Sequence, residues 1–315
     1  MKRLLVTRRM TAAAETAIRA AFDATFRDEA SGLTPVQAVQ VLAEYDAVMP
    51  ALGDAFTAEA FEGQPRARLI ANFGAGYNHI DVAAARAAGI AVTNTPDAVT
   101  DATADLAMTL LLMSARRASE GERLLRAGNW HGWQPTQFLG THVSGKTLGV
   151  IGVGRIGQAI ARRAHYGFRM RIVFHNRSAR ALDFPAQQLG LSEVLAQADF
   201  VVLAVPGGVG TRHLIGADEL AQMQPQAHLI NIARGDVVDE AALIAALQAG
   251  RIAGAGLDVY EREPDVPEAL RSMDNVTLLP HLGTATEETR TAMALRALAN
   301  LNDWAAGQSP RDLVN

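Results

Sequence analysis

Short apolar runs alternate with helical patterns of apolar and polar positions along most of the chain. In the first third, strands are predicted at 4–7, 47–49, 69–73 and 90–93, with helices over 12–21 and 82–88. Further on the strands are 147–151, 171–174, 200–205, 229–232, 253–259 and 276–279, with helices near 193–197, 218–223 and 240–249 and a last helix over 287–306. Strands alternating with helices imply βαβ units and parallel sheets. The expected fold class is α/β, with two doubly wound, Rossmann-like domains and a cleft between them. Residues 1–98 plus 286–315 are expected to form one domain and 99–285 the other.

One helix stands apart. Residues 100–117 carry Leu106, Ala107, Met108, Leu110, Leu111, Leu112 and Met113, behind capping chemistry from Asp97, Thr100, Asp101 and Thr103. A helix apolar nearly all round is expected to be buried, between domains or between subunits. The stretch that follows, 128–140, contains Trp130, Trp133, Phe138 and several glycines without periodicity, like an arm laid on another surface. Exposed tryptophans point to a partner, most simply a second copy of the chain.

Composition narrows the function classes. At 315 residues with 49% hydrophobic and 20% charged positions, the chain suits two globular domains with ample core. Only 5% of residues are aromatic, so that core is aliphatic. A net charge of −4 is too mild to point to nucleic acid or a membrane surface. The absence of cysteine excludes disulfides, thiolate catalysis and cysteine-based zinc sites. The apolar run at 4–7 is too short for a signal peptide or membrane span, so a cytoplasmic location is expected.

The strand at 147–151 runs into Gly152, Gly154 and Gly157, the G-x-G-x-x-G spacing, and then into a helix rich in alanine and arginine. The first glycine permits the tight turn, and the second admits a pyrophosphate close to the backbone. The third lets helix and strand pack closely, while the helix N-terminus offers free N–H groups to phosphate. The glycine spacing is weak alone and gains weight from the strand before it and the helix after it. Past the next strand, where an NAD-binding fold places Asp or Glu for the ribose 2′-hydroxyl, stand Asn176, Arg177 and Ser178. These residues would accept a 2′-phosphate that an acidic group repels, so NADP(H) is favoured and NAD(H) remains possible. A second strand-to-glycine turn, Phe73-Gly74-Ala75-Gly76, is either a cradle for a substrate carboxylate or an ordinary tight turn.

Three reactive groups follow strands in the second half: Arg234 after 229–233, Glu263 after 256–262 and His281 after 276–280. Ligands of doubly wound sheets lie beyond the carboxyl ends of the strands. There a guanidinium can hold a carboxylate bidentately, and an imidazole can move a proton near neutral pH. A neighbouring carboxylate would fix the imidazole tautomer. No histidine or carboxylate spacing suggests a metal, His79, His131, His165, His175 and His228 lack comparable partners, and no nucleophile motif occurs.

Three blocks carry a resemblance: Leu148-Gly149-Val150-Ile151-Gly152-Val153-Gly154-Arg155-Ile156-Gly157, Leu229-Ile230-Asn231-Ile232-Ala233-Arg234-Gly235-Asp236, and Gly256-Leu257-Asp258-Val259-Tyr260-Glu261-Arg262-Glu263-Pro264 leading to Pro280-His281-Leu282-Gly283. In these blocks the chain resembles the D-isomer-specific 2-hydroxyacid dehydrogenase family over essentially its whole length. Its tryptophan-containing arm and Pro135-Thr136-Gln137-Phe138-Leu139-Gly140 are most similar to the glyoxylate/hydroxypyruvate reductases within it. The resemblance implies that Arg234 holds the substrate carboxylate, that His281 is the acid/base and that Glu263 orients it. It further implies that Gly74, Ala75 and Gly76 offer N–H groups to the carboxylate, with Leu52 in the substrate pocket. Cofactor contacts are expected at Thr103, Gly152, Gly154, Arg155, Ile156, Gly157, Asn176, Arg177, Ser178, Val205, Pro206, Thr211, Ile232, Ala233, Asp258, His281 and Gly283, and a homodimer is expected through the long helix and the arm.

The chain departs from the family pattern at Gly207-Gly208-Val209-Gly210, at Gln222 and Gln226, and at Arg169, where glycine is usual. The function expected is an NADPH-preferring reductase of small 2-keto acids, glyoxylate and hydroxypyruvate first. Alternatives are another D-2-hydroxyacid dehydrogenase of lactate or phosphonate type and, from a different class, a dinucleotide-sensing, corepressor-like binding protein.

Overall fold

The computed structural model describes residues 1–315, which form two compact units. One comprises Met1–Val99 with Thr284–Asn315, the other Thr100–Gly283. No helix is long and apolar enough to cross a membrane.

The first unit contains β1 (Arg3–Val6), α1 (Ala12–Ala21), β2 (Asp23–Phe26), α2 (Pro35–Glu44), β3 (Ala47–Met49), β4 (Leu69–Ala71), α3 (Val82–Ala87) and β5 (Ala91–Thr93). Its five strands are all parallel, in the order β2-β1-β3-β4-β5. The C-terminal helix Glu287–Ala305 returns to pack on α1 and β4. The strand order reverses between β1 and β3, which is where a doubly wound sheet opens a crevice for ligand. The hydrophobic pattern predicts neither β2 nor α2. β2 is an exposed edge strand of Asp-Ala-Thr-Phe with no apolar run. α2 is started by Pro35 and by a reciprocal pair in which Gln37 N–H donates to Thr34 Oγ1 and Thr34 N–H to Gln37 Oε1.

The second unit contains α4 (Thr100–Ala115), α5 (Ala118–Arg126), β6 (Thr147–Ile151), α6 (Arg155–Phe168), β7 (Arg171–His175), β8 (Ala186–Gln188), α7 (Leu191–Gln197) and β9 (Phe200–Leu203), followed by α8 (Ala217–Gln222), β10 (His228–Asn231), α9 (Glu240–Gln248), β11 (Gly254–Leu257), α10 (Glu268–Ser272) and β12 (Val276–Leu278). The seven strands are parallel, in the order β12-β11-β10-β9-β6-β7-β8. Side chains alternate between the two faces. Phe200 and Val202 join Leu148, Val150 and Ile172 beneath α4 and α6, while Val201 and Leu203 join Val173 and Leu229 beneath α7, α8 and α9. Apolar residues on both faces are what make these strands read as continuous hydrophobic runs. Several are shorter than predicted: 200–205 ends at Leu203, 253–259 at Leu257 and 69–73 at Ala71. The apolar residues just past each strand end sit in loops.

α4 departs from expectation. It is not apolar all round: Asp101, Asp105 and Thr109 are exposed, and Arg163 of α6 bridges both carboxylates at 2.9 and 2.6 Å. Its buried side, with Ala104, Ala107, Leu110 and Leu111, lies on its own unit's sheet and on α6. The helix stops at Ala115, and Arg117 adopts a left-handed φ of 50°. The arm at 128–140 forms no helix or strand, and Trp133 is 77% exposed and Leu139 67%. Arg169 has φ 53° at the C-terminus of α6, the left-handed cap that glycine adopts without strain, which is the physical reason that glycine is usual there.

His228, for which the sequence offered no partner, is buried between two hydroxyls. Ser114 Oγ lies 2.8 Å from Nδ1, Thr141 Oγ1 lies 3.0 Å from Nε2, and the ring stacks on Phe200. It thereby ties the end of α4 and the residue after the arm to the start of β10. Burial pushes its pKa down to about 4 from 6.5. The unfolded chain therefore takes up this proton first, so stability that is complete above pH 6.5 is lost as pH falls toward 4. Melting curves across that range are expected to show a loss on the order of 3 kcal/mol that His228→Gln removes. Parallel curves for the two proteins would contradict the assignment.

Candidate active site

β6 ends in the glycine turn, where Gly152 and Gly157 each have a distinct steric reason. Gly152 adopts φ 94°, and a Cβ there would lie 2.8 Å from Val205 Cγ1 and 2.9 Å from the Ala204 carbonyl oxygen. A Cβ on Gly157 would lie 2.0 Å from the Gly152 carbonyl oxygen, so only glycine lets α6 approach the turn this closely. At Gly154, the N-cap of α6, a Cβ would meet nothing within 4 Å. Open space therefore adjoins a helix N-terminus whose N–H groups have no side-chain cap, and this is the geometry that receives a dinucleotide pyrophosphate. The residues present fit that group.

At the end of β7, Asn176 Oδ1 accepts from Val153 N–H at 3.3 Å, and its Nδ2 donates to Ser178 at the carbonyl oxygen (2.9 Å) and hydroxyl (3.2 Å). Gln188 of β8 closes the loop, donating to the carbonyls of Asn176 and Ser178 and accepting from Arg180 N–H. Sequence reasoning missed Gln188 because β8 is short and has no apolar face. Arg177 is exposed at the tip of this loop, and its guanidinium has no partner in the chain.

Three neighbouring strands carry the reactive groups. Arg234 follows β10, with its Nη1 donating to the Ala233 carbonyl at 2.7 Å, and Asn231 pins the segment by bonding Ala233 N–H and the Arg234 carbonyl. Burial pulls the guanidinium pKa below its ordinary value, while the charges of Glu263 and Asp236 act the other way. Glu263 follows β11, and its Oε1 accepts from Tyr260 N–H. Its Oε2 lies 2.8 Å from Nδ1 of His281, which follows β12. Burial pushes the Glu263 carboxyl up, but the His281 hydrogen bond and charge, the Tyr260 N–H and the Arg234 charge outweigh it and leave its pKa below the ordinary value. With Nδ1 engaged, His281 Nε2 has no partner in the chain, and the side chain is 32% exposed.

His281 itself sits at a left-handed φ of 53°, a conformation that a non-glycine residue holds only when its surroundings impose it. Asp258 imposes it. Its carbonyl accepts from His281 N–H, and its carboxylate oxygens accept from Leu282 N–H at 2.6 Å and Gly283 N–H at 2.8 Å. Burial pushes the Asp258 carboxyl up, with those N–H groups and His281 partly offsetting it. Thr103 of α4 packs at the same turn, 3.6 Å from where a Cβ on Gly283 would lie.

Two further glycines hold these loops together. A Cβ on Gly235 would lie 1.8 Å from the Tyr260 carbonyl carbon, so the loops bearing Arg234 and Glu263 touch backbone to backbone. A Cβ on Gly207 would lie 2.7 Å from Arg234 Cγ, so this glycine in the unusual 207–210 loop makes room for the arginine stem. Thr211 Oγ1 ties that loop back by donating to the Pro206 carbonyl. Tyr260, buried with its hydroxyl donating to the Leu279 carbonyl at 2.9 Å, links β11 to β12 and was not anticipated; nor was the pairing of His213 Nε2 with Glu261 at 3.0 Å. Such contacts join residues that no local spacing relates.

In the first unit, Leu52 lies in the loop after β3, 39% exposed, and Gly74, Ala75 and Gly76 form the turn after β4. The Leu52 loop is held by Asp54, which is fully buried and accepts from Leu33 N–H, Ala51 N–H and Thr7 Oγ1 and pairs with Arg8 at 3.1 Å. Phe73 N–H donates to the Pro50 carbonyl and so connects the two loops.

Residues 108–283 match the family model described as the D-isomer specific 2-hydroxyacid dehydrogenase, NAD binding domain. The chain is 48% identical over 279 residues to a glyoxylate reductase of Pyrococcus furiosus, covering 86% of this chain and 83% of that one. It is 42% identical over 320 residues to a glyoxylate reductase of Thermococcus onnurineus, covering 99% and 96%. Among solved structures it is similar to an NADPH-dependent glyoxylate/hydroxypyruvate reductase from Sinorhizobium meliloti in complex with NADP and malonate, with TM-score 0.88, 37% identity and coverage of 99% and 96%. The glycine turn on β6 and the paired His281 and Glu263 thus stand in a chain that matches such enzymes from end to end: it is an oxidoreductase with a nicotinamide-dinucleotide-binding domain, and it belongs to the D-isomer-specific 2-hydroxyacid dehydrogenase family.

Proposed function

We propose that the protein is an NADPH-preferring reductase of small 2-keto acids, glyoxylate and hydroxypyruvate first. The observation that carries this is the 2.8 Å pair of His281 and Glu263 next to a half-buried arginine, on the sheet whose first βα turn fits a dinucleotide. The family match and the glyoxylate reductases similar to the chain support the same conclusion.

Gly152, Gly154 and Gly157 would hold the pyrophosphate of a dinucleotide, whose reduced nicotinamide would supply the hydride. Arg234 takes the substrate carboxylate and, being partly desolvated, attracts it more strongly than a solvated arginine would. His281 in its protonated form donates from Nδ1 to Glu263 and presents the proton on Nε2 to the keto oxygen. As negative charge builds on that oxygen it takes this proton, with Arg234 stabilising the developing alkoxide. Glu263 holds the imidazole in the required tautomer, and Asp258 holds the turn that carries it. Asn176, Arg177 and Ser178, with no acidic group among them, accept a 2′-phosphate. The exposed Trp133 and Leu139 of the arm support a homodimer.

His281→Ala is expected to lower kcat with glyoxylate by about two to four orders of magnitude while NADPH binding, followed by nucleotide fluorescence, changes little. Full turnover in that variant would remove the acid/base role. Arg177→Ala is expected to raise KM for NADPH by about tenfold and leave KM for NADH unchanged, since only the phosphorylated cofactor gains from the cation. Equal shifts for both cofactors would refute the assignment. Sedimentation equilibrium is expected to give twice the chain mass, and Trp133→Glu with Leu139→Glu to give a single chain.

A further inference from the structure

We propose that Asn72 and Asn94 are positioning residues that shape Gly74-Ala75-Gly76 into a three-donor nest for the substrate carboxylate. The proposal rests on the keto-acid assignment above. Each asparagine stands immediately after a strand, Asn72 after β4 and Asn94 after β5, so both amides are placed by the sheet. Asn72 N–H continues the ladder by donating to the Thr93 carbonyl at 3.0 Å.

Together they draw in every carbonyl of the turn. Asn72 Nδ2 donates to the Gly74 carbonyl at 2.9 Å and to the Gly76 carbonyl at 3.0 Å. Asn94 Nδ2 donates to the Ala75 carbonyl at 2.8 Å, and Thr95 N–H adds a second bond to the Gly74 carbonyl at 3.0 Å. In a trans peptide unit the N–H points opposite to the C=O. Holding the carbonyls of Gly74, Ala75 and Gly76 inward therefore turns the N–H groups of Ala75, Gly76 and Tyr77 the other way. None of those three N–H groups has an acceptor within the chain. Successive backbone N–H groups turned to one side form a concave site for an anion.

Two details show that the turn is built around these amides. Asn72 is fully buried, and its Oδ1 has no hydrogen-bond partner, so the side chain is retained there for its donors rather than for a complete set of bonds. A Cβ on Gly74 would lie 3.3 Å from Asn72 Nδ2, so glycine admits the amide to the turn. An aspartate in either place would lose the donors and set a negative charge against carbonyl oxygens.

The test compares a substrate that has the carboxylate with one that lacks its charge. With NADPH as reductant, KM and kcat are measured for glyoxylate and for methyl glyoxylate in the wild type, Asn94→Ala and Asn72→Ser, alongside NADPH binding by fluorescence and a melting curve. Asn94→Ala is expected to raise KM for glyoxylate by about tenfold, with kcat changed less, and to leave KM for the ester and NADPH binding unchanged. Asn72→Ser, which loses two bonds, is expected to act in the same direction and more strongly. If its buried position prevents folding, the half-buried Asn94 still decides the matter. An equal rise in KM for acid and ester would mean that the asparagines merely support the fold, and would overturn the proposal while leaving the proposed function intact. If the wild type itself uses acid and ester alike, there is no carboxylate site to shape, and both fall together.

Discussion

In a parallel sheet every strand delivers the loop that follows it to the same edge, and the site in the second unit depends on that constraint. The glycine turn leaves β6, Asn176 and Arg177 leave β7, Pro206 and Gly207 follow β9, Arg234 follows β10, Asp258 and Glu263 follow β11, and His281 follows β12. Because β10, β11 and β12 are neighbours, His281 meets Glu263 and the Arg234 charge acts on that carboxylate, although helical crossovers separate the three in the chain. The strands can be adjacent and buried on both faces only because their side chains are aliphatic and alternate between two cores.

The same edge concentrates charge that would be costly to bury one group at a time. Arg234 is desolvated, yet Glu263 and Asp236 favour its charged form. Glu263 is kept ionised by His281, the Tyr260 N–H and Arg234 against the pull of burial. Asp258 has only backbone N–H groups and the His281 charge, and its carboxyl is left raised. A buried charge is tolerated where donors and opposite charge surround it, and those neighbours also prevent its rotation. Rigid placement of the imidazole is thus a by-product of the electrostatic balance that allows the site to exist.

Backbone contact supplies the rest of the precision. Gly235 against Tyr260, Gly207 against the Arg234 stem and Gly157 against Gly152 are approaches at which a single added carbon would overlap its neighbour. Gly157 could be anticipated, because its spacing from Gly152 is local and tied to a strand-turn-helix unit. Gly207 and Gly235 could not, since the atoms they approach belong to other loops. The Gly207-Gly210 segment, which departs from the family pattern, gains a steric reason at its first position and a conformational one at Gly208, whose φ of 130° suits glycine; nothing in the structure explains the glycine at 210.

The amino-acid sequence was enough for the fold class, the long core strands and the dinucleotide turn, and it singled out Arg234, Glu263 and His281 as candidates at strand ends. Each of these rests on a periodicity or spacing within one βα unit, or on a side chain placed where a strand must end. The tertiary structure alone decided the edge strands β2 and β8, the polar edge of α4, the burial of His228 between Ser114 and Thr141, and the support given by Asp54, Gln188, Asp258 and Tyr260. It also decided that Asn72 and Asn94 turn the peptide groups of Gly74-Ala75-Gly76. Hydrogen bonds of this kind join residues from separate strands, and their partners become neighbours only when the sheet has set the register that brings them within 3 Å or so.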